Sequence, residues 1–218
     1  MRARGGEKVE NVTYLHGFAS GARSTKGVAM ERLFAEIGVP VHRLELTPGE
    51  GGFERSTPLT MLSIVERELS AAPSTVLMGS SLGAYLAAMA AARGAHVEKL
   101  VLLAPAFRLA ERWVERMTPE EIEGWRRDGL EVDYYAQNRR ARVGWRFMED
   151  ARALPAYPSV SIPTLCITGV RDELVPLADV EEFVRRTPAA TLVTVDDGHE
   201  LVDSIQRIFD ETRAFLGV

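Results

Sequence analysis

The 218-residue sequence lacks several features that commonly mark a function. Its single cysteine, Cys166, excludes an intramolecular disulfide, and the apolar stretch TLCITG around it is typical of a core residue rather than a reactive thiolate. Its apolar runs, such as LGAYLAAMAAA, are too short to cross a bilayer, so no membrane partner is expected. Its four histidines are dispersed without the spacing of metal ligands, which argues against a metal site.

An excess of positive charge is also missing. The net charge is −5 at pH 7 and the arginines are interspersed with acidic residues, so nucleic acid is not expected as a partner. The N-terminal segment MRARGGEKVE begins like a targeting peptide, but no apolar stretch follows it, which predicts a cytoplasmic protein. With 46% hydrophobic and 26% charged residues the composition is that of an ordinary globular protein, and the length predicts one domain over residues 1–218.

Strand-like and helix-like segments alternate along the chain. Six apolar segments rich in β-branched residues are strand candidates: VTYLHG, VPVHRLEL, STVLMGS, EKLVLLAP, IPTLCITG and ATLVTVDD. Segments with helical spacing lie between most of them, and another ends the chain. This alternation predicts an α/β fold with a mostly parallel sheet of about six strands and helices on both faces.

One interval, at about residues 108–157, interrupts this alternation and is far longer than an ordinary loop. We expect an insertion there, with a helix that begins at a capping box formed by Thr118 and Glu121. For residues 131–144 both a helix and a short hairpin fit the pattern. The interval holds five large aromatic residues, which indicate either a cap over an apolar pocket or side chains that dock the insertion on the core: Trp113, Trp125, Trp145, Tyr134 and Tyr135.

Arginines in the segments GWRRDG and NRRARVGWRF allow two interpretations. In the first they form an electropositive mouth for an anionic substrate tail, such as the phosphates of a coenzyme A thioester. In the second they form a solvated face paired with glutamates, which is the common role of mixed charge on an insertion and the interpretation we prefer. The candidate partners are Glu111, Glu115, Glu120 and Glu149.

The segment Gly79-Ser80-Ser81-Leu82-Gly83 fits the G-x-S-x-G pattern at the junction of a predicted strand and a predicted helix. In this pattern the central serine lies in a strained turn, and the glycines let the strand and the helix approach each other closely. Only Ser81 fills the central position, because Ser80 would need a glycine where the chain has Met78. The pattern predicts Ser81 as a nucleophile; the alternative is that it merely caps the helix.

Function in parallel sheets collects at the carboxyl ends of the strands, and two other strand candidates end near a base and an acid. His199 follows the last strand and is the candidate base for the serine. Asp172 follows the penultimate strand and would orient that imidazole, with Glu173 as the nearest competitor. Asp196 and Asp197 are so close to His199 that we expect them to shape its loop. The remaining histidines are less well placed: His16, His42 and His96.

The loop LHGFASG after the first strand supplies a place for an oxyanion. Acyl transfer needs N–H groups aimed at the developing negative charge. The backbone N–H groups of Phe18 and Leu82 are the predicted donors, and Gly17 lets the backbone approach the substrate.

With LHGF, GSSLGA, GVRDELVP and DDGHEL in this order, the sequence resembles the α/β-hydrolase superfamily across nearly its whole length. It is most similar to the small bacterial serine esterases with an HGF oxyanion loop and a GSSLGG-like elbow, from which Ala84 is a mild departure. The resemblance implies a cap at the insertion and no antiparallel edge hairpin. It also implies the roles of five residues: Ser81 as nucleophile, His199 as base, Asp172 as orienting acid, and Phe18 and Leu82 as oxyanion donors.

The sequence therefore predicts a cofactor-independent serine hydrolase that cleaves small-molecule carboxylic esters with small or medium acyl groups through an acyl-enzyme. Hydrolysis of acyl-CoA thioesters and of carbon–carbon bonds would use the same triad. The contrasting class is a binding protein that retains the fold with an idle triad. The sequence carries no signal for an oligomeric state.

Overall fold

Six parallel strands form one central sheet, as the alternating segments predicted. The structure is a computed structural model that describes residues 9–218, so residues 1–8, which hold most of the N-terminal segment interpreted above, lie outside the described part. The strands of the described chain are β1 (Val12–Leu15), β2 (Val41–Leu44), β3 (Ser74–Ser80), β4 (Val97–Leu103), β5 (Leu130–Tyr134), β6 (Arg139–Val143), β7 (Thr164–Gly169) and β8 (Ala190–Val195). The central sheet has the order β2-β1-β3-β4-β7-β8, and all its neighbouring pairs run parallel.

Helices cover both faces of this sheet because its central strands are apolar on both sides. Alternate residues of a strand face opposite ways, so Leu77 packs into one layer while Val76 and Met78 pack into the other. Helices α1 and α9 lie on one face, and α3, α4 and α8 lie on the opposite one. The helices are α1 (Thr25–Ala35), α2 (Gly52–Arg55), α3 (Pro58–Ala71), α4 (Leu82–Ala92), α5 (Leu109–Glu115), α6 (Pro119–Asp128), α7 (Arg146–Arg152), α8 (Leu177–Arg186) and α9 (Ile205–Leu216).

Helix α4 directly follows the serine pair and is buried on every side over residues 82–90. A helix without a polar face must be covered by other elements. Here α3 packs along it, and the Tyr85 hydroxyl donates a hydrogen bond to the Pro155 carbonyl at 2.7 Å. The helix that carries the serine junction is thereby fixed between the sheet and the long segment that precedes β7.

Residues 108–157 lie between β4 and β7 and contain α5, α6, the β5–β6 hairpin and α7. The hairpin is antiparallel and pairs Leu130 with Val143, and a short 3-10 turn at Tyr135–Gln137 connects its strands, so residues 131–144 belong to a hairpin rather than to an α-helix. Helix α6 begins at the capping box that the sequence predicted. The Thr118 hydroxyl accepts from the Glu121 N–H at 3.2 Å, and the Glu121 carboxylate accepts from the Thr118 N–H at 2.8 Å.

The tryptophans of this segment pack together. Trp125 is 1% exposed, and its ring centroid lies 5.1 Å from that of Trp113 and 5.4 Å from that of Trp145. Its indole N–H donates to the Val143 carbonyl at 2.9 Å, which satisfies the buried polar end of the side chain. Trp113 also contacts the Phe18 ring edge-on at 5.4 Å, and Trp125 belongs to the main hydrophobic core, so the tryptophans dock the segment on the core, which is one of the two roles that the sequence allowed.

The structure also bears on the single cysteine and on the apolar helices. Cys166 lies in β7 and is fully buried, and burial raises the pKa of its thiol, as the apolar stretch around it predicted. Within residues 9–218, no helix is both long enough and apolar enough to cross a membrane.

Candidate active site

Ser81 lies in a strained backbone conformation between β3 and α4. Its φ of 53° and ψ of −118° fall where residues other than glycine are rare. Three backbone hydrogen bonds hold this conformation. The Ser81 N–H donates to the Leu103 carbonyl at 2.9 Å, and the Ser81 carbonyl accepts from the N–H groups of Tyr85 and Ala106, each at 3.1 Å. The turn is thus fixed from α4 and from the end of the neighbouring strand β4.

Gly79 and Gly83 lie where the backbone leaves no room for a side chain. A Cβ atom on Gly79 would lie 2.4 Å from the Gly83 carbonyl oxygen, and one on Gly83 would lie 2.3 Å from the Leu15 carbonyl oxygen. Both obstacles are backbone atoms, which cannot turn aside as a flexible side chain can. The close approach of β3, α4 and β1 is therefore the physical reason for both glycines.

A chain of hydrogen bonds joins Ser81, His199 and Asp172. The Ser81 Oγ lies 2.9 Å from the His199 Nε2, and the His199 Nδ1 lies 2.8 Å from the Asp172 Oδ2. Because a carboxylate only accepts, Nδ1 carries the imidazole proton and Nε2 is left to accept from the serine hydroxyl. The Asp172 side chain is fully buried and that of His199 is 12% exposed, so little water competes for these bonds.

Backbone groups hold the Asp172 carboxylate in place. Its Oδ1 accepts from the N–H groups of Leu174 and Val175, both at 2.8 Å, which leaves Oδ2 for the imidazole. Glu173, the competing carboxylate in the sequence, is exposed. The loop after β7 therefore brings Asp172 rather than Glu173 to His199.

The two aspartates before His199 shape its loop, as the sequence predicted. Asp196 forms an ion pair with Arg171 at 2.9 Å. The buried Asp197 carboxylate accepts from three backbone N–H groups of the same loop, those of Gly198, Asp203 and Ser204. Neither carboxylate is the partner of the imidazole.

The other histidines contact groups other than Ser81. His42 pairs with Glu68 at 3.2 Å on the surface, and His96 is exposed. His16 is 1% exposed and lies under the loop that follows β1. In the part of the chain that the structure describes, no group of three or more histidine, cysteine, aspartate or glutamate side chains is arranged to hold a metal ion.

The loop after β1 approaches Ser81 closely. A Cβ atom on Gly17 would lie 3.4 Å from the Ser81 Cβ. The His16 Nδ1 donates to the Gly17 carbonyl at 2.9 Å, and that carbonyl shares one planar trans peptide unit with the Phe18 N–H. The bond from His16 therefore also fixes the direction of the Phe18 N–H. Among residues 9–218, no protein group accepts a hydrogen bond from the N–H of Phe18 or Leu82.

Glu45 supports this loop and was missed by the sequence reasoning. Its carboxylate accepts from the N–H groups of Ala22 and Thr47, each at 3.0 Å, and its Oε1 lies 3.2 Å from the His16 Nε2. Burial alone would raise the pKa of Glu45, but these contacts lower it to about 2. The one signal in the sequence is its position directly after β2, the same strand-end position that identified the other residues.

An open cleft of about 1250 Å³ lies over these groups. Ser81 and His199 line it together with the loop after β1 and with residues 132–137 of the hairpin. Three apolar side chains of its lining are unusually exposed, namely Tyr135, Leu174 and Val202. The cleft therefore combines a polar side with an apolar rim next to the serine.

Hydrogen bonds attach the hairpin to the loop after β2 and to the loop after β1. The Thr47 hydroxyl donates to Glu45, so the Tyr134 hydroxyl, 3.3 Å from the Thr47 Oγ1, is the donor to Thr47. The Tyr135 N–H donates to the Ala19 carbonyl at 3.0 Å. Both tyrosines line the cleft, whereas none of the three tryptophans does.

The arginines of the two arginine-rich segments form ion pairs instead of a positive mouth. None of those in the two arginine-rich segments lines the cleft. Of the glutamates expected as partners, Glu149 pairs with Arg146, and Glu115 pairs with Arg108 and Arg112. These pairs favour the solvated face. They are Arg126 with Glu123, Arg127 with Asp128, Arg139 with Glu54, Arg140 with Asp133, Arg142 with Glu131, and Arg146 with Glu149.

Comparison with known proteins places the fold. The chain is 27% identical over 194 residues to pimeloyl-(acyl-carrier protein) methyl ester esterase of Xanthomonas campestris pv. campestris, covering 72% of this chain and 76% of the relative. The structure of mouse alpha/beta hydrolase domain-containing protein 10 is similar with a TM-score of 0.80 and 21% identity, covering 96% of this chain and 90% of that chain. Est1E of Butyrivibrio proteoclasticus with bound ferulic acid is similar with a TM-score of 0.74 and 22% identity, covering 96% and 89%.

These likenesses agree with the parallel six-stranded sheet and with the resemblance in the sequence motifs. The family match covers nearly the whole described chain, residues 11–216. The chain has the α/β-hydrolase fold and belongs to the uncharacterised protein family UPF0227.

Proposed function

We propose that this chain is a serine hydrolase that cleaves carboxylic esters with small or medium acyl groups through an acyl-enzyme. The observation that carries the proposal is the continuous hydrogen-bonded chain from Ser81 through His199 to Asp172, which opens on a cleft. The relative from Xanthomonas campestris is a methyl ester esterase, which supports the ester class. The idle binding protein is disfavoured because every group of the chain is within hydrogen-bonding distance of the next.

In the first step the Ser81 Oγ attacks the ester carbonyl carbon while the His199 Nε2 takes the hydroxyl proton. The Asp172 carboxylate stabilises the imidazolium that forms. When the tetrahedral intermediate collapses, the imidazolium gives its proton to the departing alkoxide, and the alcohol leaves. In the second step His199 takes a proton from water, which attacks the acyl-serine. When this second intermediate collapses, the imidazolium returns the proton to the Ser81 Oγ and the acid leaves.

The negative oxygen of both tetrahedral intermediates is proposed to accept from the N–H groups of Phe18 and Leu82. Within residues 9–218 both groups are free of protein acceptors, and the Phe18 N–H is directed by the bond between His16 and the Gly17 carbonyl. Such donors act most strongly when they are oriented before the reaction begins, and the loss of one costs on the order of a hundredfold to a thousandfold in rate.

Residues 108–157 are proposed to serve as a cap within the single domain. Their hairpin forms a wall of the cleft, and their tryptophans fix them to the core. A cleft of about 1250 Å³ has room for an acyl group together with its alcohol. The rim formed by Tyr135 and Leu174 would contact the apolar part of the substrate.

A panel of p-nitrophenyl esters of increasing acyl length, run beside acyl-CoA thioesters, tests this function. We expect turnover of the esters and covalent labelling of the protein by a fluorophosphonate, both abolished by Ser81→Ala. Ser80→Ala is the matched control and should retain most of the activity, since Ser80 takes no part in the hydrogen-bonded chain. A native protein inert to the probe, or turnover that survives Ser81→Ala, would contradict the proposal.

A further inference from the structure

Lys26 is a buried lysine at the edge of the cleft. It is the second residue of α1, directly after the loop that carries Phe18, and it lines the cleft while only 8% exposed. Lysine is rarely buried unless it has a partner. No step of the reaction described above uses Lys26, so its burial needs another explanation.

The partner of Lys26 is the loop that carries the base. Its ammonium nitrogen donates a hydrogen bond to the Glu200 carbonyl, one residue after His199. The Glu200 carboxylate lies 3.6 Å from the same nitrogen but is largely exposed to solvent. The contact to the backbone is therefore the fixed part of the interaction, and it joins residues 174 positions apart in the sequence.

The loop of His199 needs such support from outside. It contains Leu201, a residue other than glycine with a φ of 53°, which is a strained conformation. Asp197 holds the loop from within through backbone N–H groups, and the Leu201 N–H donates to the Gly198 carbonyl at 3.3 Å, but within residues 9–218 only Lys26 donates to the Glu200 carbonyl. Lys26 reaches this carbonyl from the first turn of α1.

Burial of this amine has a cost. Desolvation lowers the pKa of Lys26, against the attraction of Glu200, Asp197 and Asp172. Charged or neutral, the amine nitrogen retains hydrogens to donate to the carbonyl. Ionisable side chains in such unfavourable environments are found most often at functional sites.

We infer that Lys26 is a positioning residue, which holds the Glu200 carbonyl and with it the His199 imidazole within reach of Ser81. It also connects the loop of the proposed oxyanion donor Phe18 to the loop of the proposed base, because α1 begins where the first loop ends. This inference rests on the proposed serine hydrolase function.

The test compares Lys26→Met with Lys99→Met, a matched control. Lys99 also donates from its ammonium group to a backbone carbonyl, that of Leu216 at 3.3 Å, but it lies near the start of β4, at the opposite end of the strands from Ser81. We expect Lys26→Met to slow fluorophosphonate labelling of Ser81 and to lower kcat by about tenfold to a hundredfold, because small misplacements of a reacting group have effects of this size. KM should stay near its wild-type value, and Lys99→Met should behave as wild type.

Lys26→Arg separates positioning from a general loss of structure, since it retains a long cationic donor. We expect it to recover most of the labelling rate that Lys26→Met loses. The inference would be overturned if Lys26→Met labelled at the wild-type rate, or if Lys99→Met lost as much of the labelling rate as Lys26→Met. It would also be overturned if Lys26→Arg lost tenfold in labelling rate, and this test holds even if Lys26→Met does not fold. A wild-type protein that does not label at Ser81 would overturn the proposed function as well, so the two failures are distinguishable.

Discussion

Replacement of Asp172 by asparagine has an outcome that the hydrogen bonds around it determine. The Oδ1 of Asp172 accepts from the N–H groups of Leu174 and Val175, each at 2.8 Å. In Asp172→Asn the amide oxygen must take this place, because an amide NH2 group cannot accept. The opposite orientation would give up two such bonds, at a cost of about 1 kcal/mol or more for each.

The asparagine NH2 group must then face the His199 Nδ1, which becomes an acceptor and loses its proton. The proton of the neutral imidazole moves to Nε2, the atom that lies 2.9 Å from the Ser81 Oγ. Nε2 can no longer take the serine proton. An imidazole in the wrong tautomer costs about 10⁴-fold in kcat, which corresponds to about 5 kcal/mol of transition-state stabilisation.

Steady-state hydrolysis of a p-nitrophenyl ester measures this loss, and Glu173→Gln is the control. It removes the neighbouring exposed carboxylate without touching the hydrogen bonds of Asp172, and it should leave kcat unchanged. The thermal unfolding midpoint of Asp172→Asn should lie close to that of the wild type, since both backbone hydrogen bonds are retained. If Asp172→Asn kept a tenth or more of kcat, the assignment of Asp172 as the orienting acid would be wrong.

Two further predictions concern stability. The pKa of Glu45 is depressed in the folded chain to about 2 from an ordinary 4.5, so its contribution to stability is fully present above pH 4.5 and is lost as the pH falls towards 2. Urea unfolding should therefore find Glu45→Gln less stable than wild type at pH 7, and the difference in the free energy of unfolding should narrow below pH 4.5. A difference independent of pH would contradict this. Trp125→Ala removes a side chain that is 1% exposed and should lower the free energy of unfolding, measured in urea at pH 7, by about 3–5 kcal/mol. A loss below about 1 kcal/mol would show that the tryptophan cluster does not dock residues 108–157.

The sequence predicted the parallel sheet because its central strands are apolar on both faces, and such strands appear in the sequence as continuous apolar runs. STVLMGS and TLCITG are buried at every residue of β3 and β7. The serine junction was also predicted from the sequence, because a side chain at Gly79 or Gly83 would collide with backbone atoms and the two glycines therefore mark the motif. Both predictions rested on short patterns of consecutive residues.

The features that were left open or missed depend on partners far away in the chain. The hairpin of residues 131–144 was ambiguous because its strands are polar and short, and its position depends on Tyr134 and Thr47 meeting across the cleft. Glu45 and Lys26 carry no motif, because each binds backbone groups, which have no signature in the sequence. Lys26 was found only from coordinates, whereas Glu45 had one signal in the sequence, its position directly after β2.

The topology explains why three distant side chains meet without a dedicated scaffold. Ser81, Asp172 and His199 follow β3, β7 and β8, whose carboxyl ends lie at one edge because the strands are parallel. The strand β4 lies between β3 and β7 and contributes no side chain to the hydrogen-bonded chain. Its end nevertheless fixes the strained turn, since the Leu103 carbonyl accepts from the Ser81 N–H and the Ala106 N–H donates back to the Ser81 carbonyl. A substitution that shifts the end of β4 should therefore disturb Ser81 even though no residue there reacts.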